Sequence, residues 1–410
     1  VTSHREGLLL HRTLRSVLRA AESARTSGFR YELLLSSDNI DLATKDYLAR
    51  CPMPFKIISH DSGDLALSRN LMVKKARGEF LSFIDGDDLM SENWLAQSMA
   101  YLHTVDDPSG TVAHTETTLV FGDDLALVTK HPSRSLEEDS LLAVLSNRWN
   151  SVVVAHKSLF EKFPYQPNKD GYGYEDWLFN NQTRAAGIKH ILIPETCIFV
   201  RKKSSGSLLQ SQLSNKALLR SNDLLSFPRI RELRIPDAWS VQDNTSHDIQ
   251  KALVSAKIRD HLKKSPRTAL TIRKMYTLTK RVSSKMKSFE SGDANAPASH
   301  PPLPDWLIRQ WRLVNDFEKS LFPGSKEIEN IVRYDSLSDS HIRTGIAYKQ
   351  MVDQSDKDTY DYIIFVPWLI RGGGDFVAIR YANTLQELRP GIRIGVIGTL
   401  DHDSPLKTQL

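Results

Sequence analysis

The chain has 410 residues, 25% of them charged and 40% hydrophobic, which excludes a disordered tail, a small disulfide scaffold and a fibrous repeat. At roughly 100–200 residues per domain the length implies two to three domains. Lys and Arg (54) outnumber Asp and Glu (49) for a net charge of +5, and with no run of about 18 apolar residues no membrane-spanning helix is expected.

Two cysteines, Cys51 and Cys197, argue against disulfides and for a reducing compartment. No secretory leader is read at the start. Val1 falls inside what reads as the end of a strand, so a few preceding residues are expected. Leu10, Leu14, Val17, Leu18 and Ala21 share one face of a helix that Gly28 ends. Tyr31 to Leu35 and Phe55 to Ser59 read as strands, Ser68 to Ala76 as a helix, and Phe80 to Ile84 as a strand running into Asp85-Gly86-Asp87-Asp88. This alternation predicts an α/β fold with a mostly parallel sheet flanked by helices. Ligands of such sheets sit at the carboxyl ends of the strands. Three polar clusters lie there: Thr2 to Glu6, Ser36 to Asn39, and the Asp85 to Asp88 run.

Further on, Leu141 to Ser146 and Glu175 to Ala186 read as helices, and Ser151 to Ala155 and His190 to Ile193 as strands. Residues 240–290 read as helical and polar. Within them, 257–287 hold eleven Lys or Arg and one acid, Asp260. That stretch is either a solvated helical face or a surface held near anionic lipid. Nucleic acid is not expected, because Tyr276 is its one aromatic residue. Residues 291–304, with four prolines, read as a linker. Tyr362 to Val366 reads as a strand, Gly372-Gly373-Gly374 as a tight turn, Phe376 to Leu388 as a helix and Ile392 to Ile397 as a strand. One β-α-β unit cannot bury both faces of a sheet, so it reads as the start of a larger domain. The expected organisation is a first domain over 1–235, a helical basic connector and linker over 236–304, a connecting segment over 305–359, and an incomplete domain over 360–410.

Two clusters carry chemistry. Carboxylates two apart at a strand end suit a hard divalent cation, Mn²⁺ or Mg²⁺, with substrate phosphates completing its shell. Gly86 between them would let a ligand approach closely. Arg69, at the start of the preceding helix, can pair with phosphate. In Gly171-Tyr172-Gly173-Tyr174-Glu175-Asp176-Trp177, two acids open a helix whose dipole favours their ionised form. A carboxylate there can act as general base for a hydroxyl nucleophile. A β-turn of solvated acids and a helix cap are the other readings of these two clusters.

In this order and spacing, the end of the first strand (Val1 to His4), Asp38, Ser68-Arg69-Asn70 with Gly78-Glu79-Phe80, the Asp85 to Asp88 run and Glu175-Asp176 resemble the family 2 glycosyltransferases, inverting enzymes of the GT-A fold. The resemblance covers roughly residues 1–225. It implies that Thr2 and His4 line a nucleotide base pocket, that Asp38 reads the base edge, and that Arg69 approaches the base or the diphosphate. Asp85 would touch the ribose and Asp87 would ligate the metal. Asp176 would deprotonate the acceptor hydroxyl, with Glu175 placing the acceptor. The family usually has an aromatic residue where His4 stands. Some relatives supply a late histidine to the metal where this chain has Val200-Arg201-Lys202-Lys203, and Arg201 is read there as a phosphate grip. The donor would be a nucleotide-diphosphate sugar, with UDP favoured, and the acceptor a glycan or lipid-linked hydroxyl in bacterial surface polysaccharide synthesis. The implied location is cytoplasmic, at or near the inner face of an anionic membrane. Tyr362 to Thr399 resembles the opening of a GT-B glycosyltransferase. A non-catalytic sugar-nucleotide-binding module of a larger synthase is the alternative, opposed by the presence of both Asp87 and Asp176. A nucleotidyltransferase would need a Gly-rich basic loop, which His4-Arg5-Glu6-Gly7 does not supply.

Overall fold

The computed structural model describes residues 1–122, 125–203, 207–239, 303–321, 332–335, 339–355, 357–366 and 373–398. The basic stretch at 257–287, the prolines at 297–302 and Gly372 lie outside the described residues.

The first third alternates as expected: β1 (Thr2–Ser3), α1 (Leu9–Thr26), β2 (Leu34–Asp38), α2 (Leu42–Ala49), β3 (Lys56–His60), α3 (Leu65–Lys75) and β4 (Phe80–Ser82). The apolar stripe of α1 buries Leu10, Leu14, Val17 and Ala21. Gly28, at φ 90°, then turns the chain out of the helix. The strand read from Tyr31 begins only at Leu34. The Tyr31 hydroxyl is drawn to Glu22, and Glu32 accepts from the Gly78 amide at 3.0 Å, so these residues serve side-chain bonds and not a ladder. The first three strands form a parallel sheet with Thr2 opposite Ser36 and Ser36 opposite Ile58. A bridge from Thr2 to Asp85 joins that sheet to the acidic turn.

The chain continues through β5 (Leu89–Met90), α4 (Trp94–Leu102), β6 (Thr111–Gly122), β7 (Leu125–Lys130), α5 (Leu136–Leu142), β8 (Val153–His156) and α6 (Lys157–Lys162). β9 (Tyr172–Gly173), α7 (Glu175–Ala185), β10 (Lys189–Arg201), α8 (Leu208–Ser214), β11 (Leu218–Leu219) and α9 (Phe227–Glu232) follow. β6 is the spine of a second sheet. β10 runs parallel along one side of it, while β7 and β8 share the other side antiparallel. β8 also pairs with β4, and β10 with β5, both antiparallel. Parallel pairing is thus richest in the first sheet, and the second is mixed. The short strand read at His190 is the start of β10, thirteen residues long. The helix read at Leu141 sits earlier, because Ser135 and Glu138 form a capping box that starts α5 at Leu136.

Residues 303–321 return to this core. Leu307, Trp311 and Val314 of α10 (Asp305–Asn315) pack on Leu119, Phe121, Val128 and Phe199. β12 (Val332–Asp335) adds parallel to β7. Ile346 and Val352 of α11 (Asp339–Gln354) join Leu141, Leu142 and Ile230 in a separate cluster. β13 (Tyr362–Val366), α12 (Gly373–Leu388) and β14 (Ile394–Gly398) form a parallel β-α-β unit. The turn read at Gly373-Gly374 is instead the start of α12, whose first-turn amides have no helical partner to lose. Both cysteines are unbridged, and no described helix is long and apolar enough to cross a membrane.

Candidate active site

Parallel β1, β2 and β3 end together, and an open cleft of about 910 Å³ lies there, lined in part by His4, Arg5, Ser37, Asn39, Lys45 and His60. His4 is exposed and its Nδ1 donates to the Asp38 carbonyl at 2.6 Å. Thr2 is buried, and its hydroxyl donates to Asp85 Oδ1 at 2.9 Å. The Asp38 carboxylate, also buried, accepts from the Gly63 amide (3.0 Å), the Asp64 amide (3.3 Å) and the Ser68 hydroxyl (2.9 Å). It therefore shapes the loop into α3 from the β2 end.

Each residue of Ser68-Arg69-Asn70 ties α3 to a different element. Ser68 holds Asp38. Asn70 exchanges two bonds with the backbone of Tyr165, at 2.7 and 3.0 Å. Arg69, expected at the base or diphosphate, is 1% exposed and acts as an internal strut. It donates to Asp85 Oδ1 at 2.9 Å and to Glu175 Oε1 at 3.0 Å, above the Tyr165 ring. Burial alone would raise the Asp85 carboxyl. The Arg69 cation and the bonds from Arg69 and Thr2 outweigh it, so Asp85 is held below its usual range. Glu175, expected to place the acceptor, is buried and paired with the same guanidinium. Gly86 also has a structural reason: a Cβ there would lie 2.8 Å from the Thr2 carbonyl and 3.1 Å from Glu6.

α7 starts from a left-handed residue, Tyr174 (φ 64°), with no side-chain cap. That strained entry turns Glu175 inward and leaves Asp176 half-buried. Asp176 Oδ1 accepts from the Trp177 amide at 2.8 Å, and no described group bonds its second oxygen. Burial first, then the negative charge of Glu175, pushes the Asp176 carboxyl up to about 7.

In the acidic turn, Lys203 Nζ lies 2.5 Å from Asp87 Oδ2. Asp88 accepts from the Arg201 amide at 2.8 Å; burial and the charges of Asp87 and Asp85 push its carboxyl far up. Arg201, read as a phosphate grip, is committed elsewhere. Its guanidinium pairs with Glu318, donates to the Asp87 carbonyl at 3.1 Å and covers the Phe121 ring. Among the described residues, no group of three or more His, Cys, Asp or Glu is arranged to hold an ion. The Asp87 carboxylate, between Asp85 and Asp88, is an oxygen donor of the kind a hard cation takes when phosphate supplies most of its ligands. Lys203, Glu318 and Tyr165 were missed as site residues. Lys203 lies in the Val200-Arg201-Lys202-Lys203 stretch, two residues after Arg201, whereas Glu318 has no local signal.

The structure thus brings Thr2, Asp85, Arg69 and Glu175 into one bonded network, with Asp176 and Asp87 at its borders. Among solved structures, that of S. aureus TarS 1-349 with UDP-GlcNAc is 16% identical, covering 58% of this chain and 67% of that one with a TM-score of 0.37. GalNAc-T7 with UDP, GalNAc and Mn²⁺ is 14% identical, covering 56% and 46%, also at 0.37. The chain therefore spans between about half and two thirds of those two molecules. No curated protein matches the chain. The family model described as Glycosyl transferase family 2 matches residues 1–163 of the chain.

Proposed function

We infer that the chain is an inverting glycosyltransferase moving a sugar from a nucleotide-diphosphate sugar to a hydroxyl of a glycan or lipid-linked acceptor. One observation carries this reading beyond the family match: Arg69 ties Asp85, at the strand ends, directly to Glu175, which adjoins Asp176. A single buried cation thereby fixes the distance between a nucleotide-side acid and an acceptor-side acid.

The cleft at β1 to β3 takes the base, with His4 in its lining and the buried Thr2 and Asp38 holding the strand ends beside it. Asp85 meets the ribose. The acceptor oxygen attacks the anomeric carbon from the face opposite the diphosphate, its proton passes to Asp176, and the carbon–oxygen bond to the diphosphate breaks. A carboxyl near 7 suits a base that must take and release a proton at neutral pH. Asp87 would hold Mn²⁺ or Mg²⁺. Such an ion, when bound, offsets charge on the departing nucleoside diphosphate. Lys203, which pairs with Asp87 here, would then be the residue placed to meet the phosphates. UDP is the favoured nucleotide, and a cytoplasmic location near a membrane carrying lipid-linked acceptors is part of the same reading.

The test is a panel of UDP-, GDP- and dTDP-sugars, scored for Mn²⁺-dependent hydrolysis and for protection against melting. At least one donor is expected to do both with the wild-type chain and neither with Asp87→Ala, which should fold normally. Metal-dependent nucleotide binding that survives in Asp87→Ala would remove the metal assignment.

A further inference from the structure

Glu318 stands far beyond the residues matched to the family, yet its side chain is fully buried beside the acidic turn. Its carboxylate collects Arg201 Nη2, Arg12 Nη1 (3.1 and 3.2 Å), and the hydroxyl and amide of Ser320 (2.6 and 3.0 Å). Burial opposes its charge, but the bonds from Ser320 and Arg201 outweigh that and hold it below its usual range, ionised at neutral pH.

The arm that delivers it is clamped along one face of α1. Arg19 donates to the Leu313 carbonyl at 2.7 Å, and the guanidinium groups of Arg15 and Arg19 lie 5.2 and 5.0 Å from the Phe317 ring. The Glu92 amide, just past β5, donates to Gln310 Oε1 at 2.8 Å. Arg12, Arg15 and Arg19 therefore receive the same arm that α10 fixes to the core.

The consequence falls on Arg201. Its amide holds the Asp88 carboxylate and its Nε holds the Asp87 carbonyl, so it grips the turn by backbone and by Asp88 while leaving the Asp87 carboxylate to Lys203. Without a balancing charge, the guanidinium that already holds the Asp87 carbonyl would be free to turn to the carboxylate of the same residue. Glu318 balances it. We propose that Glu318 is a positioning residue of the donor site: it draws the Arg201 guanidinium back, so that the Asp87 carboxylate stays available and residues 303–321 are a working part of the transferase domain. The proposal rests on reading residues 85–88 as the donor site.

The experiment compares the full-length wild type with Glu318→Gln and with Leu321→Ala, which removes a buried side chain of the same arm but keeps the charge. UDP binding in the presence of Mn²⁺ is measured by calorimetry, melting temperature in parallel, and hydrogen exchange at residues 85–88 and 201. Glu318→Gln is expected to weaken UDP binding at least tenfold and to raise exchange at those amides. Leu321→Ala is expected to lower the melting temperature as much or more while binding UDP normally. Unchanged UDP binding in Glu318→Gln, or equal loss in both variants in proportion to their melting temperatures, overturns the proposal. If wild type itself does not bind UDP with Mn²⁺, the donor-site reading fails. The positioning role is then decided by exchange alone, a rise in Glu318→Gln but not in Leu321→Ala supporting it and no such difference overturning it.

Discussion

The Lys203 ammonium lies 2.5 Å from the Asp87 carboxylate, the one carboxylate of the acidic turn that neither Arg69 nor the Arg201 amide occupies. A cation of the protein's own thus stands where the family resemblance expects a metal. Lys203→Met should free Asp87, so that Mn²⁺ alone binds several-fold more tightly by calorimetry. The same variant should bind UDP with Mn²⁺ more weakly, because the ammonium no longer reaches the phosphates. Unaltered Mn²⁺ affinity would mean that Lys203 and the metal do not share Asp87.

Arg69 is a buried cation between two carboxylates, and its loss should be felt in stability before activity. Removing one partner of a buried ion pair leaves uncompensated charge and costs about 3–5 kcal/mol. Arg69→Met should therefore lower the urea-unfolding free energy by that order. Adding Glu175→Gln should recover part of it, since one of the orphaned charges is gone. A single variant as stable as wild type would show that the strut is dispensable.

These two residues also mark what the sequence made legible. Arg69 and the acids around it stood out by type, order and spacing, but whether a guanidinium faces a ligand or the interior depends on burial, which no local pattern records. β1 to β4 were readable because apolar runs alternate with an amphipathic helix. β6 was not: its Thr111, His114, Thr115 and Thr117 are buried polar residues between strands on both sides, so the apolar alternation that betrays a strand is missing. The apolar spacing of Leu307, Trp311 and Val314 was present in the sequence, but its partners, Phe121 and Phe199, are far away along the chain. Glu318 shows the same limit, since its ion-pair partners, Arg12 and Arg201, are far away along the chain.

A cluster of buried neutral histidines sets an acid limit. Burial, with Arg148 nearby, lowers His131 to about 4, and His114 and His190, stacked and bonded at 2.8 Å, are lowered as well. Between about 6.5 and 4 the unfolded chain binds a proton at His131 that the folded chain refuses. Stability from this residue is therefore complete above about 6.5 and lost as pH falls toward 4, by about 3 kcal/mol. Acids with raised pKa values, Asp88 and Asp176, act in the opposite sense, so the comparison must be between variants. The unfolding free energy of His131→Gln should fall less steeply than that of wild type from pH 7 to 4. Parallel profiles would mean that His131 titrates normally.

Asp176 joins stability to chemistry. A sugar hydroxyl is a poor nucleophile at neutral pH, so transfer needs a base within hydrogen-bond reach of it. Asp85 and Glu175 are bonded to Arg69, and Asp88 to the Arg201 amide, whereas no described group bonds the second oxygen of Asp176. Its carboxyl is raised from 3.8 to about 7 by burial and by Glu175. Because the folded state holds this proton more tightly than the unfolded chain, ionising it costs stability, and the cost grows as pH rises from about 4 to 7. Asp176→Asn keeps the oxygen that accepts from the Trp177 amide but removes the charge. At pH 7.5 it should melt higher than wild type by an amount corresponding to about 2–4 kcal/mol, and the gap should close near pH 4. General-base catalysis contributes roughly 10²–10⁴-fold, so transfer should fall at least a hundredfold with donor affinity unchanged. In wild type the rate should decline about tenfold per unit below pH 7 as Asp176 takes up its proton. A variant that melts lower and keeps its specific activity would make Asp176 a helix-terminal structural residue. If Glu175→Gln alone abolished transfer while binding donor and folding normally, the base would be Glu175.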